Sequence, residues 1–181
     1  MSHLRVFAES NAVSPIIDTG VQSEIGRHLK EINVRFEQWT CDQDVEAGAD
    51  QETVITAYRA DIDRIMEEGG FKTVDVISLS PDHPDKDEFR QKFLKEHTHT
   101  DDEVRFFVSG SGLFSLHVNE KVYEVLCAQG DLISVPDGTR HWFDMGPNPS
   151  FACIRIFTNA EGWVAHFTGS DIADRFNRLE N

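Results

Sequence analysis

The stretch EHTHTDDEVRFFVSGSGLF, Glu96 to Phe114, decides how the chain is read. Two histidines stand two residues apart, an acidic cluster follows, and an arginine leads into two phenylalanines and a glycine-punctuated apolar run. In a strand, residues an even number apart share a face. His97, His99, Glu103, Arg105 and Phe107 have one parity; Glu96, Thr98, Asp102 and Val104 have the other. That register turns two imidazoles, a carboxylate and a guanidinium toward the side that carries Phe107, the interior. A one-residue slip near Asp101 would instead leave Arg105 on the rim, paired with Asp101 or Asp102. Buried polar groups are costly unless partnered. A divalent metal partners neutral imidazoles and an ionised carboxylate directly, and two His with one carboxylate leave positions open for oxygen chemistry.

A further ligand candidate lies downstream. In GDLISVPDGTRH, Gly130, Pro136 and Gly138 precede His141, so a turn there returns the chain and starts a new strand at that histidine, with Phe143 on its face. Three His and one Glu would leave two positions of an octahedral ion for water or substrate. The complex would carry a formal charge of about +1, which favours a chelating anion. H-x-H-x-x-x-E alone arises by chance in acidic loops; its pairing with the punctuated His141 is what points to a metal.

Outward from this stretch the texture differs on the two sides. Toward the C-terminus, VRFFVSGSG, LFSLHVN, KVYEVLCAQG, DLISVPDG, HWFDMG and ACIRIFT are strand-like runs with close turn signals, the pattern of an antiparallel sandwich or barrel. SDIADRFNRL reads as a short C-terminal helix. Toward the N-terminus, LRVFA and VRFEQW alternate as strands around a helix carrying Ile25, Leu29 and Ile32. One helix is expected from Asp50 to Gly69-Gly70, then strand FKTVDVISLS, then a short helix from Pro84 to Leu94 with Phe89 and Phe93 four apart. The expected architecture is mainly β with flanking helices, within a single domain over 1–181. A mixed helix and strand part (about 1–94) packs on a metal-binding β-barrel (about 95–160), and a short C-terminal helix follows.

At 181 residues the chain suits one sizeable core. Seventeen Lys and Arg against 32 Asp and Glu give a net charge of −15, a field that repels phosphate backbones and anionic lipid. Nucleic acid and membrane are therefore not expected partners. Cys41, Cys127 and Cys153 are odd in number and widely spaced, which argues against a disulfide framework; Cys127 and Cys153 read as small buried hydrophobes. MSHLRVFAES lacks the basic and apolar regions of a signal peptide, and no apolar run approaches membrane-spanning length, so a cytoplasmic, soluble protein is expected. With no dimerisation helix or coiled coil in the sequence, a monomer is the default expectation. His117 reads as solvent-facing; Arg155 either enters the barrel near the substrate or pairs with an acid at the rim, the rim being preferred. His3, His28 and His83 read as surface histidines rather than ligands, and His166 as a surface residue ahead of the alternative that it approaches the pocket mouth.

The two motifs carry a family resemblance. His97, His99, Glu103 and Gly110 resemble the first cupin motif, and Gly130, Pro136, Gly138 and His141 the second. Gln91 stands where a glycine is usual and Met145 where an asparagine is usual; neither position is a ligand. Co-linear segments narrow the match: FEQW, ETVITAY, DVISL, KFLKEH, VLCAQGDLISVP, HWFDMG, IRIF and EGWVAHFTG are similar to those of bacterial-type acireductone dioxygenases. The resemblance implies a cupin-type antiparallel β-barrel (jelly-roll) and a methionine-salvage enzyme that cleaves an acireductone with O2. It implies one Fe2+ or Ni2+ ion per chain on His97, His99, Glu103 and His141, and the metal would select the products. Arg105 would be the catalytic cation beside the substrate oxygens, and Phe93, Phe143 and Trp163 would wall the methylthio tail. The alternatives are another cupin metalloenzyme (isomerase or decarboxylase) on the same ligands, or a non-catalytic ligand-binding cupin.

Overall fold

Gly110 determines how the longest strand is used. In the computed structural model, which describes residues 1–159 and 164–180, its φ is +67° and a Cβ there would lie 1.8 Å from the Ser150 carbonyl oxygen. A left-handed bend with backbone that close admits only glycine. VRFFVSGSG and LFSLHVN, expected as two strands, are thus one bent strand that serves two sheets.

The elements run β1 (His3–Ala8), β2 (Ile17–Thr19), α1 (Gln22–Lys30), β3 (Arg35–Gln38), α2 (Gln51–Ala57) and α3 (Arg59–Gly69). Then come β4 (Thr73–Leu79), α4 (Lys86–Phe93), β5 (His97–Thr98), β6 (Glu103–Val118) and β7 (Lys121–Ala128). The chain closes with β8 (Asp131–Val135), β9 (Arg140–Asp144), β10 (Phe151–Phe157), β11 (His166–Phe167) and a 3-10 turn (Ile172–Arg175). All strand pairings are antiparallel. The first half of β6 pairs with β8 and β10, extending through β3 and β4 into one sheet. Its second half pairs with β7 and β9, extending through β1, β2, β5 and β11 into the other. This is a jelly-roll arrangement, mainly β with flanking helices. Residues 1–94, expected to pack on the barrel, contribute four strands to its sheets.

Alternation along the strands sorts the residues into layers. Leu4, Val6, Phe107, Phe114, Leu116, Val125, Ile133, Phe143, Phe151 and Cys153 fill the space between the sheets. Val104, Phe106, Val108, Leu132, Ile154 and Ile156 point the other way, where Val54, Tyr58, Ile62 and Ile65 of α2 and α3 cover them. Those two helices were expected as one. Asp50 caps the first, accepting from the Thr53 N–H at 2.9 Å, but Tyr58 leaves the helical region (φ −111°, ψ 23°) and divides them. The Tyr58 hydroxyl sits 2.9 Å from Cys41 Sγ.

Two further boundaries differ from expectation. Pro84 lies in the turn before α4, where Asp85 N–H donates to His83 Nδ1, so the helix begins at Lys86. The C-terminal segment forms one 3-10 turn rather than a helix. Its backbone donors are claimed by buried carboxylates: Asn177 N–H by Glu124 and Leu179 N–H by Asp144. That segment packs Ile172, Ala173 and Phe176 on Phe7, Val122 and Trp142, covering the outer face of the second sheet.

This cover explains His117. Its parity is as expected, opposite Leu116, but that face does not meet solvent. His117 is buried, with Nδ1 2.6 Å from a Glu96 carboxylate oxygen and Nε2 3.0 Å from Glu9. Cys127 and Cys153 are buried in the core.

Candidate metal centre

β5, β6 and β9 bring the motif residues together. His97 lies opposite His141 in the β5–β9 pair, and His141 opposite Leu116 in the β9–β6 pair. The Phe114 ring stacks on His141 at 5.2 Å. Among the described residues, His97, His99 and His141 form a buried group whose donor atoms all lie within 4.8 Å of one another. Nitrogens each about 2.0–2.1 Å from a common ion lie within that spacing.

The rings are oriented for ligation. His97 Nδ1 donates to Lys95 O (2.7 Å), His99 Nδ1 to Val164 O (2.9 Å) and His141 Nδ1 to Thr139 O (2.8 Å). A carbonyl only accepts, so each Nδ1 carries the proton and each Nε2 keeps its lone pair. Burial, reinforced by the neighbouring His141, pushes the His97 pKa down to about 3, and burial also lowers that of His99. Both are neutral near pH 7, the form a metal requires.

Glu103 brings a carboxylate up to these rings. Its Oε1 accepts from Arg105 Nε at 2.8 Å, while Oε2 stands 3.5 Å from both His99 Nε2 and His141 Nε2. Burial pushes this carboxyl up, but the adjacent Arg105 guanidinium outweighs it and holds Glu103 well below the usual carboxylate range. Glu103 Oε2, His141 Nε2 and Arg105 Nη1 are buried without a hydrogen-bond partner among the described residues. Such atoms are costly in a finished core. A cation satisfies the first two, and an anionic ligand beside it satisfies the third.

A cavity of about 290 Å3 opens beside the histidines, lined at this end by His97, His99, Arg105 and Arg155. It lies near the lower limit of ligand pockets, roughly 300 Å3, so it suits a small molecule. The register without a slip holds: Arg105 faces inward, its guanidinium 5.0 Å from the Phe114 ring and 4.9 Å from that of Phe143. Phe93 lines the cavity. Phe143 is fully buried one layer behind, edge-on to Phe93 at 6.2 Å, because Gly112 leaves space for its ring. Trp163 lies outside the described residues.

Arg155 combines two expectations held apart above. It pairs with an acid, Asp75, through two bonds of 2.8 and 2.6 Å, yet it also lines the cavity and lies directly opposite Arg105 in the β10–β6 pair. Its inward parity was legible; its depth was not. The wall formed by β4 and α4, including Ile77, Leu79 and Phe89, was missed. The Phe89–Phe93 spacing was its only sequence signal.

Known proteins resemble this chain over most of its length. A profile of the ARD/ARD' family matches residues 4–165. An acireductone dioxygenase of Xanthomonas campestris is 58% identical over 178 residues, covering 98% of this chain and 95% of that protein. One from Stenotrophomonas maltophilia is 57% identical with 98% and 96% covered. A solved structure, an acireductone dioxygenase from Bacillus anthracis with a cadmium ion in its active centre, superposes with a TM-score of 0.78. It is 32% identical, covering 92% of this chain and 98% of that one. The chain belongs to the ARD/ARD' family.

Proposed function

We propose that this protein is the acireductone dioxygenase of methionine salvage and that it works with one divalent ion on His97, His99, Glu103 and His141. The observation that carries the ligand set is the pair of buried, unpartnered atoms, Glu103 Oε2 and His141 Nε2, beside three rings whose Nδ1 protons are committed to carbonyls. Bound Fe2+ or Ni2+ supplies Lewis acidity that stabilises the substrate's enediolate. This chain's residues do the rest. Arg105, permanently charged, offers its unpartnered Nη1 to the enediolate oxygens and favours the deprotonated substrate. Arg155 adds a second cation at the same end of the cavity. Phe93, backed by Phe143, walls the methylthio tail; by family resemblance Trp163 joins them.

The substrate is 1,2-dihydroxy-3-keto-5-methylthiopentene. With Fe2+ the expected products are formate and 2-keto-4-methylthiobutyrate; with Ni2+ they are formate, CO and 3-methylthiopropionate. All four ligands come from one chain, consistent with a monomer, and no described helix is long and apolar enough to cross a membrane. The reaction belongs in the cytoplasm. The test is oxygen uptake and product identity for protein stripped of metal and reloaded with either ion. Metal-dependent uptake with formate, and CO only from the nickel form, is expected. Acireductone consumption without oxygen uptake would favour an isomerase or decarboxylase instead.

A further inference from the structure

We infer that Phe89, with Ile77 on the facing wall, sets the length of substrate tail that the cavity admits. The inference rests on the reading of the site as the acireductone-cleaving centre. The cavity has two chemically different ends: His97, His99, Arg105 and Arg155 at one, Ile77, Leu79, Phe89 and Phe93 at the other.

The strand register orders one wall. Asp75, Ile77 and Leu79 share the inward face of β4, opposite Arg155, Cys153 and Phe151 in turn. Asp75 holds Arg155 and so marks the polar end. Ile77 lies two residues beyond it, about 6.6 Å along the strand, and Leu79 as far again. The helix orders the other wall. Phe93 packs edge-on to Phe143, whose ring lies against the Arg105 guanidinium. Phe89 lies four residues back, about 6 Å farther along the helix, its ring stacked on Phe93 at 6.1 Å and 13°. Beyond Phe89 the lining turns polar, with the His83 ring 5.6 Å away. A tail running outward from the cationic end therefore passes Phe93 and meets Phe89 at the last apolar position.

Phe89 is held there. Arg90, the next residue, makes two bonds of 2.8 and 3.1 Å to the buried carboxylate of Asp144 in β9, which pins α4 against the barrel. A ring on a clamped helix yields little to a longer tail, whereas a smaller side chain opens the cavity toward His83.

The experiment compares metal-loaded protein on acireductones carrying the methylthioethyl tail and tails extended by two and four methylene groups, with kcat and KM read by oxygen uptake. One methylene in a fitted apolar pocket is worth about tenfold or more in kcat/KM. Wild-type protein should lose at least about tenfold on the first extension. Phe89→Ala should recover about tenfold for the extended tail relative to the natural one, chiefly through KM. Phe89→Trp should sharpen the preference for the natural tail. Ile77→Ala repeats the relaxation from the opposite wall, so a folding defect in one variant leaves the other informative. Equal losses on every tail in these variants would overturn the gauge and leave the enzymatic reading standing. Absence of oxygen uptake with every tail in wild-type protein would overturn that reading, and the gauge with it.

Discussion

Replacing Arg105 by methionine tests the two tasks of its single charge: neutralising Glu103 and facing the substrate. Arg105 and Glu103 are 3% and 1% exposed, joined by the 2.8 Å bond from Nε to Oε1, and the guanidinium lies against both the Phe114 and Phe143 rings. Methionine keeps most of that packing and removes the charge. In metal-free protein the Glu103 carboxylate then loses its cation, a loss that costs about 3–5 kcal/mol at buried pairs. For a chain of this size about 1 kcal/mol moves Tm by roughly 2–4 °C, so the metal-free variant should melt roughly 6–20 °C lower. Protonation of Glu103 caps that cost, since burial alone pushes this carboxyl's pKa upward. A bound divalent cation takes over the compensation, and it no longer faces a neighbouring guanidinium. The rise in Tm on loading nickel should therefore be larger in Arg105→Met than in wild type, even as oxygen uptake falls. Calorimetry of stripped and loaded forms of both proteins measures it. An equal deficit with and without metal would refute the reasoning, because Glu103 would then not be shared between guanidinium and ion.

Three other outcomes follow from the same physics. Gly110→Ala should destabilise by at least about 1–3 kcal/mol from its positive φ alone, with more from the Ser150 carbonyl; an unchanged Tm would contradict the bend. Arg90→Met should cost about 3 kcal/mol near pH 7, the low end for a buried pair because the arginine is 20% open to water, as read by denaturant unfolding. Burial pushes Asp144 up, but Arg90 and the Gly146 and Leu179 N–H groups outweigh it, so its folded pKa lies below the ordinary 3.8. That contribution is full above about pH 3.8 and is lost as pH falls below it, so the variant's stability should decline less steeply through the acid range.

Strand parity explains what could be read in advance. His97, His99, Glu103 and Arg105 share a face because the side-chain period is two, and glycine and proline announce the return of His141. Parity states which residues share a face; it does not state what covers that face. His117 was assigned to solvent because nothing local reveals that the C-terminal segment covers the second sheet. Arg155 was assigned to the rim because Asp75, its partner, lies 80 residues away. Phe89 and Phe93 announced a helix face, but the cavity they wall exists only once β4 has paired with β10. Gly110 carried a turn signal, and a bend within one strand uses the same residue as a turn between two. The division at Tyr58 is a tertiary effect, since the apolar spacing runs through it unbroken.

The most direct test is metal content at equilibrium, with a divalent ion titrated into wild-type protein and into His97→Ala, His99→Ala, Glu103→Gln and His141→Ala, each checked for folding. One ion per chain is expected in wild type, with a large loss of affinity in every variant. Wild-type affinity retained in any one of the four would contradict it at that residue, and affinity retained in His141→Ala or Glu103→Gln would undo the case built on their unpartnered atoms.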